Sequence, residues 1–219
     1  MRAVLACALL SVAASGGELS PVASDALCVT RGRVAATHSQ LAVDEPKLRA
    51  VVPASDGNRA ELRLVYRGPT AETALLGSGA LRRQIGIKLR AQDGCNLLYV
   101  MWRIEPASGI VVSVKRNPGA RTHAECGNRG YRNLRGTTLP VAPLVAGRPR
   151  RLAAAIDGRV LTVTVDGAPA WRGELDGESA SLAGPAGVRS DNVRADFELR
   201  VASGGGARAM SCGGSVEDE

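Results

Sequence analysis

From Val193 to Val201 the chain alternates strictly between apolar and charged residues. Val193, Ala195, Phe197, Leu199 and Val201 form one set, and Arg194, Asp196, Glu198 and Arg200 form the other. Successive side chains on a strand point to opposite faces, so this pattern predicts a strand with one face in a core and the other in water. Arg59 to Tyr66 repeats it, with Ala60, Leu62, Leu64 and Tyr66 inward, and Ile85, Ile87 and Leu89 alternate with Gly86, Lys88 and Arg90. Leu97 to Ile104 is apolar on both faces, which predicts a central strand covered on each side. Ile110 to Val114 follows it after the turn Pro106-Ala107-Ser108-Gly109. Helical periodicity is almost absent, so the expected fold class is all-β.

Five Asp-Gly pairs punctuate these runs: Asp56-Gly57, Asp93-Gly94, Asp157-Gly158, Asp166-Gly167 and Asp176-Gly177. Asp-Gly supplies the positive φ angles of tight hairpins. Asp157-Gly158 lies between Arg151–Ile156 and Arg159–Val165, which are expected to pair, with Pro169 to Leu175 continuing the meander. About ten strands at this spacing make a sandwich or barrel. Two regions do not fit strands. Pro118 to Gly147 is rich in Gly, Asn, Arg and Pro and is expected to form long ordered loops, while residues 203–219 are a Gly/Ser-rich acidic tail.

From Arg150 to Val201 the features come in a particular order. A strand leads through Asp157-Gly158 to Leu161-Thr-Val-Thr-Val-Asp-Gly167, then a tryptophan strand, then an expected turn at Gly187-Val-Arg-Ser-Asp-Asn-Val193 and the closing alternating strand. This order resembles the C-terminal half of the concanavalin A-like and laminin G-like sandwiches, over about a quarter of the chain. The resemblance implies a two-sheet antiparallel jelly-roll whose closing strand lies beside the N-terminal strand. That superfamily includes lectins, glycan-binding modules, glycosidases and sugar-processing lyases, and the fold alone does not choose among them. As in laminin G-like domains, Asp191 and Asn192 are candidate oxygen ligands for calcium, set against an ordinary turn-forming pair.

The first residues set the expected compartment. Met1-Arg2 is basic, Ala3 to Ala14 is small and apolar, and Ser15-Gly16-Gly17 follows. This is the three-part pattern of a secretory signal over 1–17, too short to span a bilayer. Cys7 lies inside the apolar run rather than after it, which argues against a lipid anchor. No other segment reaches the ~18 apolar residues of a membrane helix. The expected domain is therefore 18–202, secreted or periplasmic. The chain after the signal keeps Cys28, Cys95, Cys126 and Cys212, an even number that reads as two disulfides. Three pairings are open. The expected one joins Cys28 to Cys212, tying the two ends, and Cys95 to Cys126, closing a local loop. The jelly-roll topology agrees, since it brings both ends together. A metal knuckle is disfavoured, because no two cysteines are close and only His38 and His123 could assist.

The chain carries a formal charge of +7, almost all of it arginine, which forks onto flat anions such as carboxylates and sulfates. A coding bias toward G and C would produce the same excess. Nine basic side chains lie between Lys115 and Arg151, with Glu125 the single acid among them. If Arg116, Arg121, Arg129, Arg132 and Arg135 shared one face, that face would attract polyanions. Nucleic acid is disfavoured, since only Tyr131 could stack on bases there. Trp102 alternates with Leu98 and Val100 and reads as core, whereas Trp171 follows Pro169 on an outer strand and is a candidate sugar platform. Glu174-Leu175-Asp176-Gly177-Glu178 has the letters of a glucanase E-x-D-x-E motif, whose carboxylates must alternate on one strand. Asp176-Gly177 reads instead as a turn. No nucleophile constellation or phosphate loop is evident. The expected function is an exported, non-catalytic sandwich module binding glycans or another anionic surface polymer, with a glycan or acidic polysaccharide as partner. A glycosidase-like enzyme of the same fold and a structural envelope protein are the alternatives. No resident cofactor other than calcium is implied.

Overall fold

The five apolar residues of the closing alternation, Val193, Ala195, Phe197, Leu199 and Val201, are all buried on one face of a single long strand. The computed structural model describes residues 18–37, 40–204 and Cys212. The expected leader, His38 and the rest of the tail lie outside the described residues. Along the chain the strands are β1 (Leu19–Pro21), β2 (Cys28–Arg31), β3 (Ala35–Ala36), β4 (Leu41–Val43), β5 (Lys47–Val51), β6 (Ser55–Pro69), β7 (Arg83–Leu89) and β8 (Leu97–Glu105). They continue as β9 (Gly109–Lys115), β10 (Tyr131–Asn133), β11 (Thr137–Thr138), β12 (Pro149–Asp157), β13 (Val160–Val165), β14 (Ala168–Glu174), β15 (Gly187–Asp191) and β16 (Val193–Ser203). Two one-turn helices, α1 (His123–Cys126) and α2 (Gly177–Ala180), interrupt them.

These strands make two antiparallel sheets. One runs β11-β14-β13-β12-β6-β16-β4-β3, with β1 also on β16; the other runs β10-β9-β8-β7-β15-β5-β2. The protein is thus an all-β, two-sheet antiparallel jelly-roll sandwich, and its first strand lies against its closing strand as expected. The inward residues of both sheets form one core. β6 contributes Ala60, Leu62, Leu64 and Tyr66, β7 contributes Ile85, Ile87 and Leu89, and β8 contributes Leu98, Val100 and Trp102. β8 is the central strand anticipated from its two apolar faces, with Tyr99 and Met101 also buried on the opposite side. The Asp157-Gly158 hairpin forms between β12 and β13, and Asp166-Gly167, both residues at positive φ, turns β13 into β14.

Three local expectations are corrected. Asp56-Gly57 is not a hairpin but lies inside β6, where a Cβ on Gly57 would sit 1.9 Å from the Gly184 carbonyl oxygen. Close backbone approach, rather than turn geometry, uses that glycine. The segment Gly187 to Asp191 is not a turn but the strand β15, paired on both edges; the reversal is confined to Asn192, at φ 56°. Trp171 is not an open platform. It is 3% exposed in the core, and Gly136 passes so close that a Cβ there would lie 2.4 Å from the indole.

Cys95 and Cys126 are joined, fastening α1 to the start of β8. Cys28 and Cys212 are both free thiols beside one another, and the expected bridge between them is not formed in this structure. Burial and the Cys212 thiol push the Cys28 thiol up to about 11, which keeps it protonated at neutral pH.

The shared core makes a direct prediction. Phe197→Ala is expected to lower stability by roughly 3–5 kcal/mol in denaturant unfolding, because the ring is fully buried in the core. Val29→Ala, at 37% exposure, should cost less than about 0.5 kcal/mol. Equal losses at the two positions would contradict the core assignment.

Candidate functional site

The seven-stranded sheet turns one face to the core, and its other face carries an unusual set for a buried surface. Alternation puts Lys47 and Arg49 of β5, Arg189 and Asp191 of β15, Gln84 and Lys88 of β7, and Lys115 of β9 together on that face, and all are buried. An isolated buried charge is very costly, so these groups require partners. Asp191 supplies the central one. Its Oδ1 accepts from Arg49 Nη2 at 2.7 Å, and its Oδ2 accepts from Arg189 Nε at 3.0 Å and from Gln84 Nε2 at 2.7 Å. Arg49 Nη1 also donates to the carbonyls of Leu48 and Ser190. Burial alone would raise the Asp191 carboxyl; the Arg189 and Arg49 guanidiniums and the Gln84 amide outweigh it and hold the group down to about 2.

Above this polar layer is a groove of about 310 Å³. Tyr99, Met101, Gln84, Ser113 and Arg189 form its floor, and Arg82, Arg103, Tyr131, Arg132 and Asn133 its sides. The floor is pre-organised. Arg189 lies 4.8 Å from the centroid of the Tyr99 ring, and Tyr131 stacks on Tyr99 with centroids 6.0 Å apart. Arg189 Nη1 donates to Tyr131 Oη at 3.3 Å, and Lys115 Nζ lies 5.1 Å from the Tyr131 centroid. The rim is made by two loops in contact: a Cβ on Gly77 would fall 2.0 Å from Asn128 Nδ2. The disulfide between Cys95 and Cys126 anchors the second of these loops to the sheet. No Asp or Glu lines the groove among the described residues.

Of the candidate ligand residues, the structure brings two to the groove, Tyr131 and Arg132. Arg132 is ion-paired with Asp176 and donates to Ser179 Oγ. The other arginines serve local structure or point elsewhere. Arg116 donates to Asn96 Oδ1, and Arg129 donates to the carbonyls of Glu125 and Cys126 at the end of α1. Arg121 and Arg135 are exposed outside the groove lining. Arg150 and Arg151 lie on the other sheet, so the basic stretch does not make one face. The calcium reading of Asp191 and Asn192 is corrected by the same geometry: both Asp191 oxygens are taken by Arg49, Arg189 and Gln84. Asn192 bonds the backbones of Ala74 and Arg82, linking β15 to the groove rim. No cluster of His, Cys, Asp or Glu suited to a metal occurs among the described residues. Asp176 caps α2 by accepting from the Ser179 backbone N–H, and Glu174 pairs with Arg159, so the E-x-D-x-E letters do not alternate on one strand.

Gln84, Tyr99, Arg82, Arg103 and Arg189 were not anticipated as site residues. The signal available in the sequence was the polar member of each core-like alternation, Gln84 and Lys88 in one run and Tyr99 and Arg103 in the next.

No family profile and no curated protein matches this chain. Solved structures do. The carbohydrate-binding module CBM66 from Bacillus subtilis superposes with a TM-score of 0.55 at 12% identity, covering 78% of this chain and 91% of that one. A candidate glycosyl hydrolase from Parabacteroides distasonis gives 0.50 at 8% identity, covering 80% and 85%. The galectin LEC-6 of Caenorhabditis elegans gives 0.43 at 10% identity, covering 84% and 99%. The superpositions at 0.55 and 0.50 show a shared jelly-roll fold and nothing beyond it.

The ion-paired floor predicts a specific acid response. With a folded-state pKa of about 2 against 3.8 for an ordinary carboxyl, Asp191 stabilises the fold above about pH 4 and loses that contribution as pH falls toward 2. Asp191→Asn removes the buried carboxylate charge that faces Arg49 and Arg189 and is expected to cost roughly 3–5 kcal/mol at pH 7. Urea midpoints measured from pH 6 to 2 should fall less steeply for the variant than for wild type. Parallel acid limbs would contradict the pairing.

Proposed function

We propose that this protein is an exported glycan-binding module whose ligand lies in the groove on the outer face of the seven-stranded sheet. One observation carries the reading: a pre-organised groove of aromatic and hydrogen-bonding side chains on a jelly-roll whose fold matches CBM66, a carbohydrate-binding module. Tyr131, 37% exposed and held by Arg189 and Tyr99, adds aromatic surface to the groove, and Ser113, Asn133 and Gln84 offer polar contacts around it. Sugar rings are recognised by this combination of an apolar face and a few placed polar groups. Export is supported by the secretory pattern at 1–17 and by the Cys95–Cys126 bridge, since disulfides persist in oxidising compartments. In that setting the adjacent Cys28 and Cys212 thiols would oxidise to the second bridge.

A glycosidase reading requires a pair of carboxylates flanking the scissile bond. Since the described groove lining holds neither Asp nor Glu, the binding reading is favoured.

Two experiments test these statements. Tyr131→Ala is expected to weaken binding of any oligosaccharide found on a glycan array about tenfold, or ~1.4 kcal/mol, without changing the melting temperature. Arg135→Ser, outside the groove, should leave affinity unaltered. A Tyr131→Ala protein that binds as wild type would place the site elsewhere. Non-reducing peptide mapping of the exported protein should return Cys28 linked to Cys212 as well as Cys95 to Cys126; a free Cys28 would contradict the oxidised form.

A further inference from the structure

We infer that the groove selects a carboxylated sugar, a uronate, whose carboxylate docks on Arg82 and Arg103 while a neighbouring hydroxyl donates to Gln84 Oε1. The inference rests on the glycan reading above and adds the chemical class of the ligand.

Gln84 is 3% exposed, and its Nε2 donates to Asp191 Oδ2. An ionised carboxylate accepts only, so this bond fixes which end of the amide is which. The other end, Oε1, is buried without a partner, on a residue that lines the groove. A buried acceptor left unmet is costly, and a sugar hydroxyl is the donor that would satisfy it. A carboxylate would not, having no proton to give.

Beside it is the opposite deficit. Gln84 and Arg103 are cross-strand neighbours in the β7–β8 register, so their side chains share one face of the sheet. Arg82 lies two residues before Gln84 and lines the same groove. Among the described residues neither Arg82 nor Arg103 has an ion pair or a side-chain hydrogen bond, and Arg103 Nε is buried without an acceptor. The remaining groove arginines are already committed, Arg189 to Asp191 and Arg132 to Asp176. Burial and the charge of Arg82 both weaken the hold of Arg103 on its proton, the condition that an incoming anion relieves. Guanidinium forks match a planar carboxylate through two parallel N–H···O bonds. An unmet acceptor adjacent to an unmet pair of forks is the complement of a hexuronate, in which the C5 carboxylate neighbours the C4 hydroxyl.

The test is an NMR titration of the full-length, isotope-labelled protein with methyl glycosides of glucuronate, galacturonate and mannuronate. The matching neutral hexosides and 6-sulfated hexosides are the comparison. At least one uronate is expected to shift the Gln84 side-chain amide and to bind tenfold or more tighter than its neutral counterpart. Arg103→Gln should remove that preference, and Arg82→Ser, at a half-exposed position, supplies the same comparison should the first variant fold poorly. Equal binding of neutral and carboxylated sugars in the groove would overturn the uronate inference and leave the glycan reading standing. A sulfated sugar that matches the best uronate would overturn the carboxylate assignment while keeping an anion site. Groove signals unmoved by every sugar would overturn both readings.

Discussion

The ion-paired Asp191 is the constraint on which the outer face of the seven-stranded sheet depends. It is fully buried, as is Arg49, and Arg189 is nearly so. Desolvating three charged groups gains little net stability over an apolar filling. What it does gain is position. The carboxylate fixes Arg189 against Tyr99, Tyr99 supports Tyr131, and Gln84, a groove-lining residue, is pinned through its amide nitrogen. Because Asp191 is the last residue of β15 and Asn192 then reverses the chain into β16, the same point also ties the two sheets to the groove rim.

The molecule therefore uses one set of strands for two purposes. Inward residues of β7 and β8 build the sandwich core, and outward residues of the same strands build a polar floor that is almost as well buried. A site mounted on paired strands is held more firmly than one on loops alone. The loops then supply the sides: the disulfide-fastened turn around α1 leads into β10, which carries Tyr131, and touches the loop at Gly77.

The fold was legible in the sequence because strand alternation reports burial directly. Val193 to Val201, Arg59 to Tyr66 and Leu97 to Ile104 all bury the faces their patterns indicate. The site was less so. Charge counting points to Lys115 through Arg151, but that stretch is divided between two sheets and three loops, and sequence proximity does not report which face a strand presents. Trp171 follows a proline on an outer strand, yet Gly136 covers it, a contact between residues far apart in sequence that no local pattern encodes. Gln84, Tyr99 and Arg189 come from three separate strands, and only the register of β7, β8 and β15 brings them together.

The central claim is that ligand binds the outer face of the seven-stranded sheet rather than any surface of its partner sheet. Hydrogen–deuterium exchange, with and without a saturating oligosaccharide identified by array binding, tests it most directly. The account predicts slowed exchange in peptides spanning the Gly77 loop and residues 127–133, with the β13–β14 hairpin unchanged. Protection confined to β12, β13 and β14, with the groove rim unaffected, would contradict it.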